Sequence, residues 1–355
     1  MKTLRTTTLT ALGLSAMMLA GCASASATGN AGGESDTLDE VRVGYFANVT
    51  HAPALVGLSE GLFDEALGGV DLTTEVFNAG PAAIEALSAG AIDATYIGPN
   101  PSINTFIQSG GASAKIIAGA TSGGAALVVR EGIDEPEDLE GANIATPQLG
   151  NTQDVALRSW LAEEGFETST AGAGDVTITP TENAQTLTLF QQGKLDGAWL
   201  PEPWVSRLVV EADAHVLVDE ADLWADGAFP TTVLLVRAEF AAQHPEIVED
   251  LLAGHVAAVS WLDEHADQAP AVINDVLEEA TGKPLAHDVL ARALENVSFT
   301  VDPHAETFET LVADGLAAGT QKEGSIDGLF DLRALNALLE EDGQEPVSAA
   351  ELGEQ

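Results

Sequence analysis

Gly90-Ala91-Ile92-Asp93-Ala94-Thr95-Tyr96-Ile97 and Gly193-Lys194-Leu195-Asp196-Gly197-Ala198-Trp199-Leu200 are two versions of one segment. Each starts with a glycine placed to end a helix, passes through an aspartate, and becomes a strand with an aromatic near its close. Each runs into a proline-containing loop, Gly98-Pro99-Asn100-Pro101-Ser102 in the first case and Pro201-Glu202-Pro203-Trp204 in the second. A looser echo pairs Val43 to Leu55 with Ile144 to Leu157, both reading as strand, polar loop and helix. Self-similarity of this kind means one supersecondary unit built twice.

Outward from the echo, short apolar runs alternate with helical periodicity, the pattern of α/β units. Strands are expected at 41–46, 72–77, 92–97, 116–120, 125–130, 143–146, 176–178, 195–200 and 233–237. Between them lie a helix over 53–67 interrupted near Gly61, one opened by Gly80-Pro81, and further helices over 152–164 and 183–192. Proline suits the first helical position, where its missing N–H costs nothing. Beyond Arg237 the chain reads as mostly helical through Leu339, with a frayed tail over 341–355. Ala126 to Arg130 and Val233 to Arg237 resemble one another, and each ends a passage between the halves. The expected lobes are therefore 41–128 with 235–340, and 129–234. Two lobes joined by two crossing strands leave a cleft, a common place for a small ligand and a hinge.

The 355 residues carry 56 Asp+Glu against 13 Lys+Arg, a formal charge of −43, while 45% are apolar. There is ample apolar material for sizeable cores. The charge excludes nucleic acid as a partner, because phosphate binding needs Lys and Arg, and it excludes electrostatic docking on anionic lipid. The acids are spread evenly, as on a solvated surface suited to high salt.

At the start, Lys2 and Arg5 precede an apolar stretch from Leu9 to Ala20, too short for an ordinary span and laid out as an export signal over 1–21. Leu19-Ala20-Gly21-Cys22 resembles the lipobox of bacterial lipoproteins, in which Cys22 would be lipidated and become the first mature residue. Cys22 is the single cysteine, so no disulfide is expected, and one lipidated residue anchors a chain without spanning. Residues 22–40 then read as the lipidated residue and a flexible tether.

Ligands of open α/β sheets sit beyond the carboxyl ends of strands, against helix starts. Four loops occupy that position. They offer Asn48, Thr50 and His51; Pro99, Asn100 and Ser102, with Ser102 opening a helix through Phe106; Ser122 and Gly123; and Gly150, Asn151, Thr152 and Gln153. Their hydroxyls, amides and backbone N–H groups suit an oxyanion held without a formal positive charge. The same residues are also ordinary caps and turn formers. Glu202, stiffened by two prolines and flanked by Trp199 and Trp204, is either a ligand carboxylate or a first-turn acid. Trp204 is either a ligand contact or a helix start. No nucleophile elbow, P-loop, zinc-protease or dinucleotide motif is present, and no catalytic residue, metal or cofactor is expected. The histidines other than His51 and His215, namely 244, 255, 265, 287 and 304, read as surface residues of the helical part.

Val43-Gly44-Tyr45, Phe77-Asn78-Ala79-Gly80-Pro81, Gly90-Ala91-Ile92-Asp93, Leu139-Glu140-Gly141, Gly150 to Leu157, Gln191 to Gly197 and Glu202-Pro203-Trp204 resemble, in order and spacing, the solute-binding proteins of bacterial ABC importers. The likeness is to the nitrate/sulfonate/taurine branch, which includes thiamine-precursor binders, and it covers about residues 41–335. It implies the type II periplasmic-binding fold, a closing cleft, a small organic sulfonate such as taurine or an alkanesulfonate as ligand, and delivery to a permease with its ATPase. With the lipid on Cys22, the chain is expected at the outer face of the cell membrane, lipid-anchored, and as a monomer. Where such sulfonate binders often carry Gly-Asp, this chain has Gly98-Pro99-Asn100, and no arginine falls in the four loops. A pyrimidine thiamine precursor is the alternative ligand. An enzyme on the same fold is the other class, and it would need a cofactor lysine, for which Lys194 and Lys115 are the central candidates.

Overall fold

A computed structural model describes residues Leu38–Gln355. The export signal, Cys22 and nearly all of the expected tether lie outside the described residues. Two sheets organise the chain. The first contains β1 (Glu40–Phe46), β2 (Asp71–Phe77), β3 (Ala94–Ile97), β4 (Ala114–Gly123), β10 (Pro230–Arg237), β11 (Val297–Phe299), β12 (Phe330–Asp331) and β13 (Gly353–Glu354), in the order β13-β12-β4-β10-β3-β1-β2 with β11 on β4. The second contains β5 (Ala125–Val129), β6 (Asn143–Thr146), β7 (Thr177–Pro180), β8 (Gly197–Pro201) and β9 (His215–Asp219), in the order β7-β6-β8-β5-β9.

The sequence echo is a topological repeat. β1 pairs in parallel with β2 and β3, and β10 closes on β3 antiparallel. In the second sheet β6 pairs in parallel with β7 and β8, and β5 closes on β8 antiparallel. The two aspartates occupy matching positions. Asp93 accepts from the Arg42 backbone N–H and pairs with Arg42 and Arg237, while Asp196 accepts from the Asn143 backbone N–H and pairs with Arg130. Each carboxylate thus ties the start of a parallel strand to the end of the antiparallel strand by which the chain enters that sheet after a crossing.

The crossings differ in detail from expectation. Gly123 and Gly124, at φ 78° and 77°, turn the chain out of β4 and into β5, a conformation that side chains disfavour. All of β5 therefore belongs to the second sheet, so the division lies near Gly124 and not between 128 and 129. The return runs through short 3-10 turns over Glu220–Leu223 and Ala225–Gly227 instead of a strand. β10 lies wholly in the first sheet, which moves the second division from 234 back to about 229. The tail is also corrected. Ala349 and Leu352 are buried in the first core and β13 pairs with β12, because the apolar side chains at 349 and 352 cap the end of that core.

One apolar core surrounds the first sheet, including the helical C-terminal part, and two smaller cores lie on the faces of the second. His255 is buried, not superficial: its ring bonds the Tyr96 hydroxyl at 2.9 Å and the Gly119 carbonyl at 2.7 Å. Burial pushes its pKa down to about 4, so it sits neutral in this apolar setting. Among the described residues no helix is long and apolar enough to cross a membrane.

Candidate functional site

The carboxyl ends of the parallel strands of both sheets meet around one small cavity. It is lined from the first sheet by Phe46, Asn48, Thr50, His51, Asn78, Gly98 and Thr231, and from the second by Pro147, Asn151, Thr152, Gln153, Asn183 and Pro201. None of these side chains ionises as an acid, lysine or arginine. The space open to the centre of a water-sized sphere is about 20 Å³, room for one or two waters.

Three helices begin at this cavity: Pro99–Gln108, Thr152–Glu163 and Asn183–Gln191. Their caps, Gly98, Asn151 and Glu182, make no side-chain capping hydrogen bond. Prolines at 99 and 101 lack an N–H, so the first of these helices offers only Asn100 there, and the Asp154 N–H already bonds the Asn151 carbonyl at 3.0 Å. The remaining first-turn N–H groups, which no carbonyl of the helix can satisfy, are left for another acceptor. The loop before Thr152 is shaped by a fully buried ion pair. Asp154 takes hydrogen bonds from the Thr146 hydroxyl, the Gly150 N–H and Arg158 Nε at 2.8–3.0 Å, and Arg158 and Asp154 have no exposed side-chain surface.

Two polar atoms of the lining are buried without any partner, Thr152 Oγ1 and Asn183 Oδ1. An unsatisfied buried polar atom is costly and calls for an explanation. Its position on the cavity wall supplies one, since a ligand would complete it. His51 is held by its Nδ1, which accepts from the Phe46 N–H at 3.3 Å, leaving the proton on Nε2. Burial drives its pKa down to about 3, so the ring is a neutral N–H donor. Gly98 is required by close approach: a Cβ there would lie 2.3 Å from Thr152 Oγ1.

A second chamber of about 400 Å³ adjoins the first and shares Phe46, Asn48, Asn78 and Asn183 with it. Val76, Phe77, Trp204, Leu277 and Leu285 give it apolar walls, and Arg207, Lys283, Glu182 and Glu211 supply charges in equal numbers. The two halves touch across the seam. Trp204 Nε1 donates to Asn48 Oδ1 at 2.8 Å, the Gly80 N–H to Asn151 Oδ1 at 3.0 Å, Asn78 Nδ2 to Glu182 Oε1 at 3.3 Å, and the Ser159 hydroxyl to Asp314 Oδ1 at 2.7 Å.

Of the residues singled out in the sequence, Asn48, Thr50, His51, Asn151, Thr152 and Gln153 come together on the inner cavity, and Trp204 lines the outer chamber. Thr152 is the first helical residue, with Asn151 as the cap. The others lie elsewhere. The helix expected from Ser102 begins at Pro99, which turns Ser102 inward, where its hydroxyl donates to the Gly98 carbonyl. Pro99 is buried behind the wall, and Asn100 Nδ2 donates to the Leu311 carbonyl. Ser122 and Gly123 pair with Phe229 at the crossing, and Gly150 lines a separate surface groove.

Glu202 is the main correction. It is 1% exposed and fully engaged: the Ser206 N–H and hydroxyl, Asn296 Nδ2 and Arg292 all donate to it at 2.8–3.1 Å. Those contacts bind the second sheet's half to the helix His287–Glu295 and the residue after it, and leave nothing for a ligand. The flanking indole of Trp199 is likewise committed, to Glu220 at 2.7 Å. Asn78, Asn183 and Thr231 are lining residues that the sequence reading missed, and Gly98, which also lines the cavity, lay in one of its loops without being singled out. Asn78 and Asn183 follow β2 and β7, so applying the strand-end rule to every parallel strand would have found both.

A model of the NMT1-like family matches residues 34–274. The chain is 26% identical over 327 residues to the putative aliphatic sulfonates-binding protein of Bacillus subtilis, covering 90% of this chain and 88% of that one. It is 29% identical over 197 residues to the taurine-binding periplasmic protein of Escherichia coli, covering 56% and 59% respectively. The alkanesulfonate-binding protein SsuA from Xanthomonas axonopodis pv. citri, bound to MOPS, superposes with a TM-score of 0.66 at 21% identity over 80% of this chain and 95% of that one. The fold is that of the periplasmic binding proteins.

Proposed function

The chain belongs to the NMT1-like family, and from that premise we propose that it is the extracytoplasmic binding component of an ABC importer, capturing a small organic sulfonate or related oxyanion between its two halves and handing it to a permease. The observation that carries this reading is the inner cavity: the uncapped starts of the helices Thr152–Glu163 and Asn183–Gln191, a neutral His51 donor and the unpartnered Thr152 Oγ1 around one small space. Helix starts and N–H groups hold oxyanions without a counter-cation. The adjoining apolar chamber suits an organic substituent, and relatives named for binding aliphatic sulfonates and taurine agree with it. These relatives are named as binding proteins, and in this reading the ligand leaves as it arrived. A lipid on Cys22 would hold the protein at the outer face of the membrane, within reach of the permease.

Calorimetric titration with alkanesulfonates, taurine and nitrate tests the proposal. One of them is expected to bind one-to-one and to be recovered unchanged, and Thr152→Val is expected to weaken it about tenfold, the ordinary consequence of removing one hydrogen bond to a charged group. Turnover of the ligand, or no binding by any of these anions, would overturn it.

A further inference from the structure

The acids buried among the described residues are Asp93, Asp154, Glu202 and Glu220. Arginine pairs with the first three. Glu220 is different: its Oε2 accepts from Trp199 Nε1 at 2.7 Å, and the charged groups that face it are Asp314 and Asp219.

Glu220 lines a cavity of about 90 Å³ where the two halves and the return crossing meet. The helix Thr152–Glu163 contributes Ala156, Ser159, Trp160 and Glu163, a spacing that puts all four on one face. The helix Phe308–Ala317, packed on the first core, contributes Thr310 and Asp314, and the crossing contributes Glu220, Leu223 and Trp224. Three carboxyl groups from three elements therefore share this space, and no lysine, arginine or histidine lines it. One hydrogen bond closes it across the seam, from the Ser159 hydroxyl to Asp314 Oδ1 at 2.7 Å. The helix Thr152–Glu163 begins on the ligand cavity and ends on this one. Parting its far end from the helix Phe308–Ala317 thus acts on the same seam that sets Thr152 against Gly98.

Resting on the reading that the halves close around a ligand, we propose that this acidic cavity is a proton-operated latch on closure. With Glu220 protonated, the two helices stay packed through Ser159 and Asp314. With Glu220 and Asp314 both charged, their repulsion across an uncompensated space parts the halves. Burial raises the pKa of Glu220 from 4.5 to about 7, with Asp314 and Asp219 adding to it. Burial also raises that of Asp314, with Glu163 adding to it. Opening admits water and carries Asp314 away, so it weakens the hold of Glu220 on its proton. The closed state then binds more protons than the open one, and closure is favoured below about pH 7 and lost above it. A difference of one pKa unit between the two states changes the closed-to-open ratio about tenfold.

Closure can be read without ligand from energy transfer between two dyes, one on Glu137→Cys in the second half and one on Glu249→Cys in the first, both exposed positions, in a Cys22→Ser background. Single-molecule transfer in constant salt is expected to show the closed-to-open ratio falling about tenfold from pH 6 to pH 8.5. Glu220→Gln, which keeps an acceptor for Trp199, should hold the ratio within about twofold, and Asp314→Asn, which keeps one for Ser159, should blunt the fall to about threefold. Ordinary surface carboxylates are ionised throughout this range, and the histidines titrate alike in parent and variants. A parent ratio that stays constant or rises with pH would overturn the latch, as would an equal fall in either variant. The parent profile retains both acids, so it remains decisive even where a variant folds poorly. No sulfonate enters the measurement: these outcomes leave the ligand reading standing, and failure of every sulfonate to bind would overturn that reading while leaving the latch.

Discussion

Replacing Glu220 with glutamine should remove a pH dependence from the stability of this protein. Glu220 opens the 3-10 turn Glu220–Leu223 on the return crossing and is 2% exposed. Its Oε2 accepts from Trp199 Nε1 at 2.7 Å. The charged groups bearing on it are Asp314 and Asp219, both negative, and no cation is among them. Burial above all, with those acids adding to it, raises its pKa from 4.5 to about 7. The folded protein therefore keeps this proton up to about pH 7, whereas the unfolded chain releases it near its ordinary value. Between those limits the folded state binds more protons, so stability falls as pH rises and then levels off. At 1.36 kcal/mol for each pH unit between the two pKa values, the loss is about 3 kcal/mol. Glutamine keeps an oxygen for the Trp199 indole and cannot ionise. Guanidinium unfolding at pH 5, 6, 7 and 8 in constant salt should show Glu220→Gln close to the parent at pH 5 and more stable by about 3 kcal/mol at pH 8. Subtracting the two profiles cancels the other carboxylates. Parallel profiles would refute the reasoning and mean that Glu220 is ionised in the fold.

The other predictions concern the anchor, the seam and the field. Cys22→Ser should move the protein from the membrane to the soluble fraction with its folding unchanged, as fractionation and circular dichroism would show; persistence at the membrane would exclude the lipid on Cys22. Gly98→Ala would place a methyl 2.3 Å from Thr152 Oγ1, so the halves should fail to close fully. Ligand affinity should then fall at least about tenfold, and small-angle scattering should give a larger radius of gyration with saturating ligand than for the parent. Equal affinity would mean that Thr152 can withdraw freely. Association with a sulfonate should speed up, or at least not slow, as monovalent salt rises, because screening removes the long-range repulsion of a −43 chain faster than it weakens a buried site; stopped-flow rates that drop steeply with salt would point to a cationic capture site instead.

Local signals carried much of this architecture. The Gly-Asp echo at 90–97 and 193–200 is visible because glycine, aspartate and strand lie in one short segment, although the partners of each aspartate are some fifty residues or more away. The lining residues Asn48, His51 and Thr152 are visible because strand ends and helix starts have short-range signatures. What was hidden depends on distant partners. The prolines around Glu202 correctly suggested a fixed carboxylate, but Arg292 and Asn296, which consume it, lie some ninety residues on. His255 looks like a surface residue of a helix until Tyr96 and Gly119 are brought to it. Likewise β13 is two residues long, too short for any periodicity, and only its pairing with β12 and the burial of Leu352 give it meaning.

The acidic composition and the proposed site for anions are reconciled by where each acts. Charge on an exposed surface acts over roughly a Debye length, about 8 Å at physiological salt and 3 Å at 1 M. A hydrogen bond inside a closed cavity acts at contact and is little screened. Arginine in the cavity would strengthen anion binding, but among so many acids it would find a carboxylate first, as Arg42, Arg237, Arg158 and Arg292 do here. Backbone N–H groups, amides and a neutral imidazole cannot be diverted into salt bridges. A site made of them forms no salt bridge with the surface acids, although a single amide can still be spent on one, as Asn78 is on Glu182.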